Sequence, residues 1–191
     1  KEFRDRYLSD PKNRNVFNGK AVVFEGPEDY HKRINDKKLK INENSILIIR
    51  GCGPVGYPGS AEVVNMQPPD RLLKKGIAHL PTLGDGRQSG TSESPSILHV
   101  SPESAVGGDL GIVKTGDKMK IDLNKRRVDL LIAQSEFKKR RKNKKLFKAN
   151  NQTPWQEIFR NTVGQLEDGA CINSRGTYLD ISNKKGLPRN S

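Results

Sequence analysis

Two glycine-rich segments of the chain contain the residues best suited to chemistry. The first, residues 50–59, leads directly into Glu62, and the second, residues 84–95, contains Ser89 between polar and glycine residues. A carboxylate such as Glu62 is a ligand that Mg²⁺ accepts, and a serine such as Ser89 can act as a nucleophile or as a base. Loops of this length in a compact domain are usually functional. We therefore predict that these two loops carry the site.

Each residue has a simpler interpretation when it is considered alone. A glutamate near the start of a helix, as Glu62 is, often stabilises the helix dipole, and Ser89 alone is an ordinary loop serine. Ser89 does not lie in a G-x-S-x-G hydrolase motif, because Arg87 and Thr91 occupy the two glycine positions. Neither loop ends in the G-K-[ST] of a phosphate-binding loop, and no histidine has a spacing that suggests a catalytic triad. These patterns leave the reaction open.

The chain is strongly basic, with a formal net charge of +13, and much of the excess lies in KKRRKNKK at residues 138–145. A basic balance often indicates a nucleic-acid partner. Aromatic residues are few and no recognised nucleic-acid motif is present, so nucleic-acid binding is disfavoured. We interpret the run as a solvated helix face. A basic nucleic-acid-binding module remains the alternative from another functional class.

The two cysteines, Cys52 and Cys171, are far apart in sequence and form no C-x-x-C pair. They cannot by themselves supply the thiolates of an iron–sulfur cluster, and we predict that each is a small buried hydrophobic residue. No apolar run approaches the roughly 20 residues of a membrane helix. The chain begins with Lys1 rather than Met. We therefore expect a piece of a longer, cytoplasmic protein.

Hydrophobic periodicity predicts short strands. The apolar run SILII at residues 45–49 is typical of a strand that is buried on both faces. The predicted strands cover residues 20–24, 45–49, 77–83, 96–100, 110–114, 118–123 and 128–132.

Capping patterns predict the helices. One begins at Gly-Pro-Glu-Asp, residues 26–29, and another covers residues 69–75. Ser135 is the predicted cap of a basic helix. Thr153 is the predicted cap of a helix that runs to about Glu167, with Pro154 in its first turn.

These elements predict an α/β fold with a barrel-like mixed β-sheet and flanking helices. If the strands before the two loops are neighbours, both loops open on one edge of the sheet. We expect residues 1–18 to be a lead-in from an N-terminal domain and residues 19–147 to be the core. Residues 148–191 would form a C-terminal helix and an extended tail that packs on the same domain.

Three long blocks resemble the C-terminal domain of the dihydroxy-acid and phosphogluconate dehydratase superfamily. They are GPVGYPGSAEVVNM at residues 53–66, LGDGRQSGTSESPSILHVSPESAVGG at 83–108 and KTGDKMKIDLNKRRVDLLI at 114–132. The DGRQSGTS sequence and the later TPWQEIFRNTVGQL at 153–166 are most similar to the sugar-acid branch of that superfamily, of the D-xylonate dehydratase type. His99 departs from that type, which has asparagine at this position.

The resemblance implies a swivelling β/β/α fold and the dehydration of a 2,3-dihydroxy acid to a 2-keto acid. It implies an iron–sulfur cluster and Mg²⁺ at the interface of two domains, with the cluster ligands in the N-terminal domain. Glu62 matches the family's Mg²⁺ ligand in this domain, and Ser89 matches its catalytic serine. Asp85, Arg87 and Thr91 match the surrounding motif and are assigned a supporting role.

The same resemblance defines the expected partners. They are the N-terminal dehydratase domain, a small sugar-acid or dihydroxy-acid substrate and, for the full-length protein, further copies of itself in a homo-oligomer. We expect the 191 residues alone to be inactive, because they would hold half of a divided site. A dihydroxy-acid dehydratase of branched-chain amino-acid biosynthesis is the alternative within the same reaction class. A structural domain without chemistry is a further alternative.

Overall fold

The centre of the molecule is a mixed β-sheet. A computed structural model of the chain describes residues 2–59, 62, 66–87, 94–144 and 147–172. Within these residues the strands are β1 (Val16–Glu25), β2 (Ser45–Arg50), β3 (Thr82–Gly84), β4 (Ser96–Ile97), β5 (Lys118–Asp122) and β6 (Arg127–Leu130). The six strands form one sheet in the order β4-β3-β2-β1-β5-β6.

The helices are short and lie around the sheet. They are α1 (Glu2–Tyr7), α2 (Pro27–Arg33), α3 (Asp70–Leu73), α4 (Gln134–Lys142) and α5 (Pro154–Thr162). In the described part of the chain, none of them is long and apolar enough to span a membrane. Pro27 begins α2 as predicted, with Glu28 and Asp29 in the first turn, where their charges favour the helix dipole.

The two central strands are buried on both faces, as the apolar run at residues 45–49 predicted. Ile46 and Ile48 of β2 point into one core cluster, and Leu47 and Ile49 point into the other. Alternate side chains of a strand point to opposite faces, so a continuous apolar run requires cover on both sides. The helices and connecting segments supply that cover.

Strand direction divides the sheet into two parts. β1, β2, β3 and β4 are parallel, whereas β5 pairs antiparallel with both β1 and β6. The sheet is curled into a half-barrel. This arrangement confirms the predicted α/β class with a barrel-like mixed sheet. β1 begins at Val16, before the expected core boundary at residue 19, because Val16 to Lys20 pair with β5.

The strand predicted at residues 110–114 was wrong. Asp109–Ile112 form a 3₁₀ turn, although Leu110, Ile112 and Val113 are buried as an apolar strand would be. The guanidinium of Arg50 donates to the carbonyl oxygens of Leu110, Gly111 and Val113 at 3.2, 2.9 and 2.9 Å. These buried carbonyls therefore find donors without a neighbouring strand.

Several other elements are shorter than predicted, among them β4, which covers only Ser96–Ile97 of the predicted 96–100. The strand predicted at residues 77–83 forms only from Thr82, since Pro81 has no N–H for a ladder hydrogen bond. Helix α5 begins as predicted, with the Thr153 side chain accepting from the Gln156 N–H. It ends at Thr162 rather than near Glu167, because Val163 turns to extended backbone and pairs with Ile172.

Helix α3 and the start of α4 also differ slightly from the sequence predictions. α3 covers four residues of the predicted 69–75. Ala133, not Ser135, is the N-cap of α4, and its side chain makes no capping hydrogen bond. The short α3 is followed by Gly76 at φ +75°, a backbone conformation in which glycine is favoured and a helix cannot continue.

Candidate active site

Both glycine-rich loops leave the same edge of the sheet. Loop one (residues 50–59) follows β2, and loop two (residues 84–95) follows β3. The strands are parallel neighbours, with Ile49 opposite Gly84. The expectation that the two loops open on one edge is therefore confirmed for the strands that lead into them. The carboxyl ends of adjacent parallel strands are a common position for ligand sites in α/β folds.

The carboxylate of Asp85 joins the two loops. Asp85 is completely buried and accepts hydrogen bonds from the backbone N–H groups of Gly51 at 3.1 Å and Cys52 at 2.9 Å. It also accepts from the N–H and hydroxyl of Ser104, at 2.8 and 2.5 Å. A buried charge is expensive unless it is hydrogen-bonded, and these four donors supply that compensation. One side chain of loop two thus fixes the start of loop one and the segment at residue 104.

A second buried carboxylate, Glu103, fixes the middle of loop one. Its two oxygens accept from the N–H groups of Val55 and Gly56, each at 2.8 Å. Gln165 donates to the same carboxylate at 2.9 Å and accepts from the Glu103 N–H at 3.0 Å. A Cβ atom at Gly53 would overlap the Glu103 side chain, so this close approach requires glycine.

Helix α5 also contacts loop one through a charged side chain. Arg160 donates from Nε to the carbonyl oxygen of Val55 at 2.8 Å. Sequence reasoning assigned no role to Glu103, Arg160 or Gln165. Each lies within a block that carried the family resemblance, but no local pattern identifies its partner. The contacts join residues 47 to 105 positions apart, which only the folded chain brings together.

Glu62 and Arg87 lie next to each other at the exposed rim. Their backbones form an isolated parallel bridge, and Arg87 Nη2 is 3.5 Å from Glu62 Oε1. Both side chains are 48% exposed, so the pair contributes little to stability. Its effect is on position: the carboxylate that follows loop one lies beside the residue that precedes Ser89 by two positions. Ser89 and Thr91 themselves lie outside the described residues.

A hollow in the protein surface lies beside Arg87. It has a volume of about 520 Å³ and is lined by Gly59, Arg87, His99, Phe159, Leu166, Gly169 and Ala170. This volume lies within the range of small-molecule sites, roughly 300–1,000 Å³. The His99 N–H donates to the Gly86 carbonyl at 3.3 Å. This hydrogen bond holds the segment that follows β4 against the segment that follows β3. Loop one, loop two and α5 therefore all border one hollow.

Cys52 lies beneath the loops, where its thiol is held in the protonated, unreactive form. It is fully buried, as predicted, and a Cβ atom at Gly86 would contact the Cys52 Cβ at 2.5 Å. Burial, followed by the negative charge of Asp85, raises the pKa of the Cys52 thiol well above its usual range. The thiolate needed for metal binding is thus strongly disfavoured. Cys171 is exposed, so its predicted burial was wrong.

These residues fit one of the two cofactors that the resemblance implied. The exposed Glu62 carboxylate is an oxygen ligand that suits Mg²⁺, as one member of a larger set. In the described part of the chain, no group of three or more His, Cys, Asp or Glu side chains is arranged to hold a metal ion. A protonated buried thiol and a distant exposed one do not fit an iron–sulfur cluster.

Comparison with known proteins agrees with this geometry. Residues 8–170 match the family model described as dihydroxy-acid/6-phosphogluconate dehydratase C-terminal. The chain belongs to this dehydratase family. The matched region of this dehydratase domain includes both loops, Asp85, Glu103 and helix α5.

Two similar relatives act on sugar acids according to their names. D-xylonate dehydratase of Caulobacter vibrioides is 55% identical over 100% of this chain and 32% of its own length. L-arabinonate dehydratase of Rhizobium leguminosarum is 49% identical over 65% of the chain and 22% of its own length. A dihydroxy-acid dehydratase of Thermodesulfovibrio yellowstonii is 39% identical over 82% of the chain. This dehydratase domain spans about a third or less of the length of these relatives.

Removal of the Asp85 carboxylate should destabilise the domain. Asp85→Ala removes the acceptor of the Cys52 and Ser104 N–H groups and one of the two acceptors of the Gly51 N–H, and we expect the free energy of unfolding to fall by about 3 kcal/mol. Urea unfolding followed by circular dichroism measures this loss. Asp109→Ala is the matched control, because Asp109 forms an exposed ion pair with Arg141, and its loss should change stability by less than about 1 kcal/mol. Equal losses in both variants would contradict the role of Asp85.

The two thiols should differ sharply in reactivity. In a Cys171→Ser variant only Cys52 remains, and its raised pKa and burial should keep it unlabelled by a disulfide reagent between about pH 7 and pH 9. In the matched Cys52→Ser variant, the exposed Cys171 should react quickly. Labelling in urea verifies that Cys52 reacts once the chain unfolds. Rapid labelling of folded Cys52 would show that loop one is open.

Proposed function

We propose that this chain is the C-terminal part of a hydro-lyase that dehydrates a sugar acid to a 2-keto-3-deoxy acid. Family membership over residues 8–170 supports the reaction class. The identities of 55% and 49% to two sugar-acid dehydratases support the substrate class. The observation that carries the proposal is the rim formed by the two loops, where Asp85 ties their bases together and Glu62 meets Arg87 at 3.5 Å.

The difficult step of such a reaction is removal of the proton on carbon 2, which is only weakly acidic beside a carboxylate. In the proposed mechanism the side-chain oxygen of Ser89 accepts this proton as a general base. The bond between carbon 3 and its hydroxyl oxygen breaks, and the hydroxyl leaves as water with the proton that Ser89 took from carbon 2, which returns Ser89 to its starting state. The resulting enol then becomes the 2-keto acid. A neutral serine hydroxyl is a very weak base, so Ser89 would act in its ionised form, which positive charge close to the side chain would favour.

Arg87 would supply some of that charge. Arg87 precedes Ser89 by two positions, and Glu62 lies beside Arg87 at the rim. Glu62 would be this domain's ligand to Mg²⁺, and a bound Mg²⁺ would stabilise negative charge as it develops on the substrate. Asp85 is proposed as a positioning residue: its hydrogen bonds hold the base of loop one against loop two. The role proposed for Thr91 is likewise supporting.

The remaining parts of the site belong to the rest of the protein in this proposal. An iron–sulfur cluster would have its ligands outside this chain, since the two cysteines here do not fit one. The N-terminal part of the full-length enzyme would close the hollow beside Arg87, and the full-length enzyme is proposed to assemble as a homo-oligomer. Both cysteines are free thiols, which agrees with a cytoplasmic location.

Branched-chain dihydroxy acids are the second candidate substrates. His99 lines the hollow beside Arg87 and departs from the asparagine of the xylonate type, which favours this alternative. Against it, the dihydroxy-acid dehydratase of Thermodesulfovibrio yellowstonii is 39% identical, compared with 55% for the D-xylonate enzyme. Turnover of D-xylonate and of 2,3-dihydroxyisovalerate by the full-length enzyme distinguishes the two candidates.

Ser89→Ala in the full-length enzyme should reduce kcat by roughly 10²–10⁴-fold, because it removes the proposed base. The assay is formation of the 2-keto acid, with metal and iron content measured on the same samples. Ser135→Ala, on the exposed start of α4, is the control and should leave kcat unchanged. A Ser89→Ala enzyme with near-normal kcat would exclude serine as the base.

Glu62→Gln should weaken Mg²⁺ binding by the full-length enzyme. A direct ligand should matter at least as much as a supporting partner of a metal site, for which losses are roughly 10–100-fold. Activity as a function of Mg²⁺ concentration gives the apparent affinity. Glu43→Gln, at an exposed position before β2, is the control. An unchanged Mg²⁺ requirement in Glu62→Gln would contradict the ligand assignment without affecting the reaction class.

A further inference from the structure

A second and larger cavity lies away from the Glu62–Arg87 rim. Its volume is about 720 Å³, and it opens between helix α4, the end of β2 and the 3₁₀ turn Asp109–Ile112. Five cationic side chains line it: Arg50, Lys114, Lys139, Arg140 and Lys144. Glu25 and Glu136 are the carboxylates in its lining. The lining therefore carries a clear excess of positive charge.

The two carboxylates are already neutralised by the two arginines. Arg50 Nε lies 3.0 Å from each oxygen of Glu25, and Arg140 Nε lies 2.7 Å from Glu136. Arg140 also donates to Asp117 at 3.0 Å, and both side chains of that second pair are largely buried. With Asp117 counted, two arginines face three carboxylates, so the three lysines leave a net excess of two positive charges. Among the described residues, Lys114, Lys139 and Lys144 form no ion pair with a carboxylate within 4.0 Å.

The cavity walls are held in place independently of any ligand. Arg50 donates to the carbonyls of Leu110, Gly111 and Val113 from one side. Arg140 donates to the Ile112 carbonyl at 3.2 Å from the other side and so fixes α4 on the same turn. A preformed concave site with fixed cations loses little entropy when an anion binds.

Helix α4 presents different parts of the basic run to different surroundings. Glu136, Lys139, Arg140 and Asn143 line the cavity, and their spacing is that of a single helix face. Lys138 and Lys142 are in the same helix but do not line the cavity; all three lysines of the helix are exposed, and only Lys139 faces the cavity. Within residues 138–144 the solvated face that the sequence predicted is interrupted at Arg140 and Lys144, which are partly buried. Part of the run forms one wall of a site.

Lys144 is the most enclosed of the three lysines. Its ammonium group donates to the carbonyl of Gly108, and its side chain lies against Gly111. Burial lowers the pKa of Lys144, which means that its charged form lacks part of the solvation it would have in water. A bound anion would restore favourable interactions to that charge.

We propose that this cavity binds a small, multiply charged anion of the phosphate class, with Lys114, Lys139 and Lys144 as its contacts. Its volume falls within the range of small-molecule sites, and ammonium groups bind phosphate oxygens through charge-assisted hydrogen bonds. A nucleic-acid duplex would instead need cations on a convex surface, including Lys138 and Lys142. Gly51 and Ser104 line this cavity and both donate to Asp85, so a bound anion would adjoin the base of loop one.

The test compares two double variants of the intact protein that carries this sequence. Lys139→Gln/Lys144→Gln removes two charges from the cavity, and Lys138→Gln/Lys142→Gln removes two charges from the solvent-facing side of the same basic run. Isothermal titration with pyrophosphate and with ATP, at one fixed low salt concentration, measures the affinities. Circular dichroism verifies that each variant is folded. Lys139→Arg, which keeps the charge, is included as the conservative variant.

We expect the cavity pair to lower the affinity for pyrophosphate by at least about tenfold, since each lost charge-assisted hydrogen bond is worth roughly that much. The solvent-facing pair should change it by less than about twofold, and Lys139→Arg should retain binding. Comparable affinities for pyrophosphate and ATP would identify the phosphate chain as the ligand, and much tighter ATP binding would identify a nucleotide. Absence of binding to the intact protein, equal losses in both pairs, or preferential binding of a duplex would overturn the proposal.

Discussion

The geometry of the candidate site depends on one buried carboxylate. Asp85 leaves the end of β3, yet its oxygens accept from the backbone at the start of loop one and from Ser104. The free energy needed to bury that charge is offset only if all of these donors are in place. Loop one, loop two and the segment at residue 104 are therefore coupled, and displacement of any one of them leaves a buried charge or a buried N–H unpaired.

Glu103 extends the same principle to the far end of the chain. Its carboxylate accepts hydrogen bonds from the N–H groups of Val55 and Gly56 in loop one and from the Gln165 side chain. Arg160 donates a hydrogen bond to the carbonyl oxygen of Val55. Interior carboxylates thus position the loops, whereas the carboxylate proposed to bind metal, Glu62, lies exposed at the rim. This division explains how a glycine-rich segment without regular structure can present a side chain at a defined place.

The excess of positive charge is likewise organised by buried pairs. Arg140 of the basic helix is bound by Asp117 and Glu136, and its charged form is favoured by both. Arg50 closes the turn at residues 109–112 and is bound by Glu25. These arginines hold α4 and the turn in place. The lysines that line the cavity between them form no ion pair with a described carboxylate. A net charge of +13 alone contains none of this information.

The sequence by itself determined the features that arise from neighbouring residues. The apolar run at residues 45–49 predicted a strand buried on both faces, the Pro27 and Thr153 patterns predicted helix starts, and the long matching blocks predicted the family. Each follows from local backbone preference, side-chain period or extended similarity. The prediction that residues 110–114 form a strand failed because burial, which the sequence did indicate, was achieved by a turn whose carbonyls are bound by Arg50.

Only the tertiary structure decided which residues meet. Asp85 and Gly51 are 34 positions apart, and Arg160 and Val55 are 105 apart, so no periodicity relates them. The exposed Cys171, the pairing of Glu62 with Arg87 and the split of the basic run into two faces also depend on packing between distant elements. Local pattern specifies each segment because its forces act over a few residues. The site required the buried carboxylates that bring the segments together, and their partners are set by the whole fold.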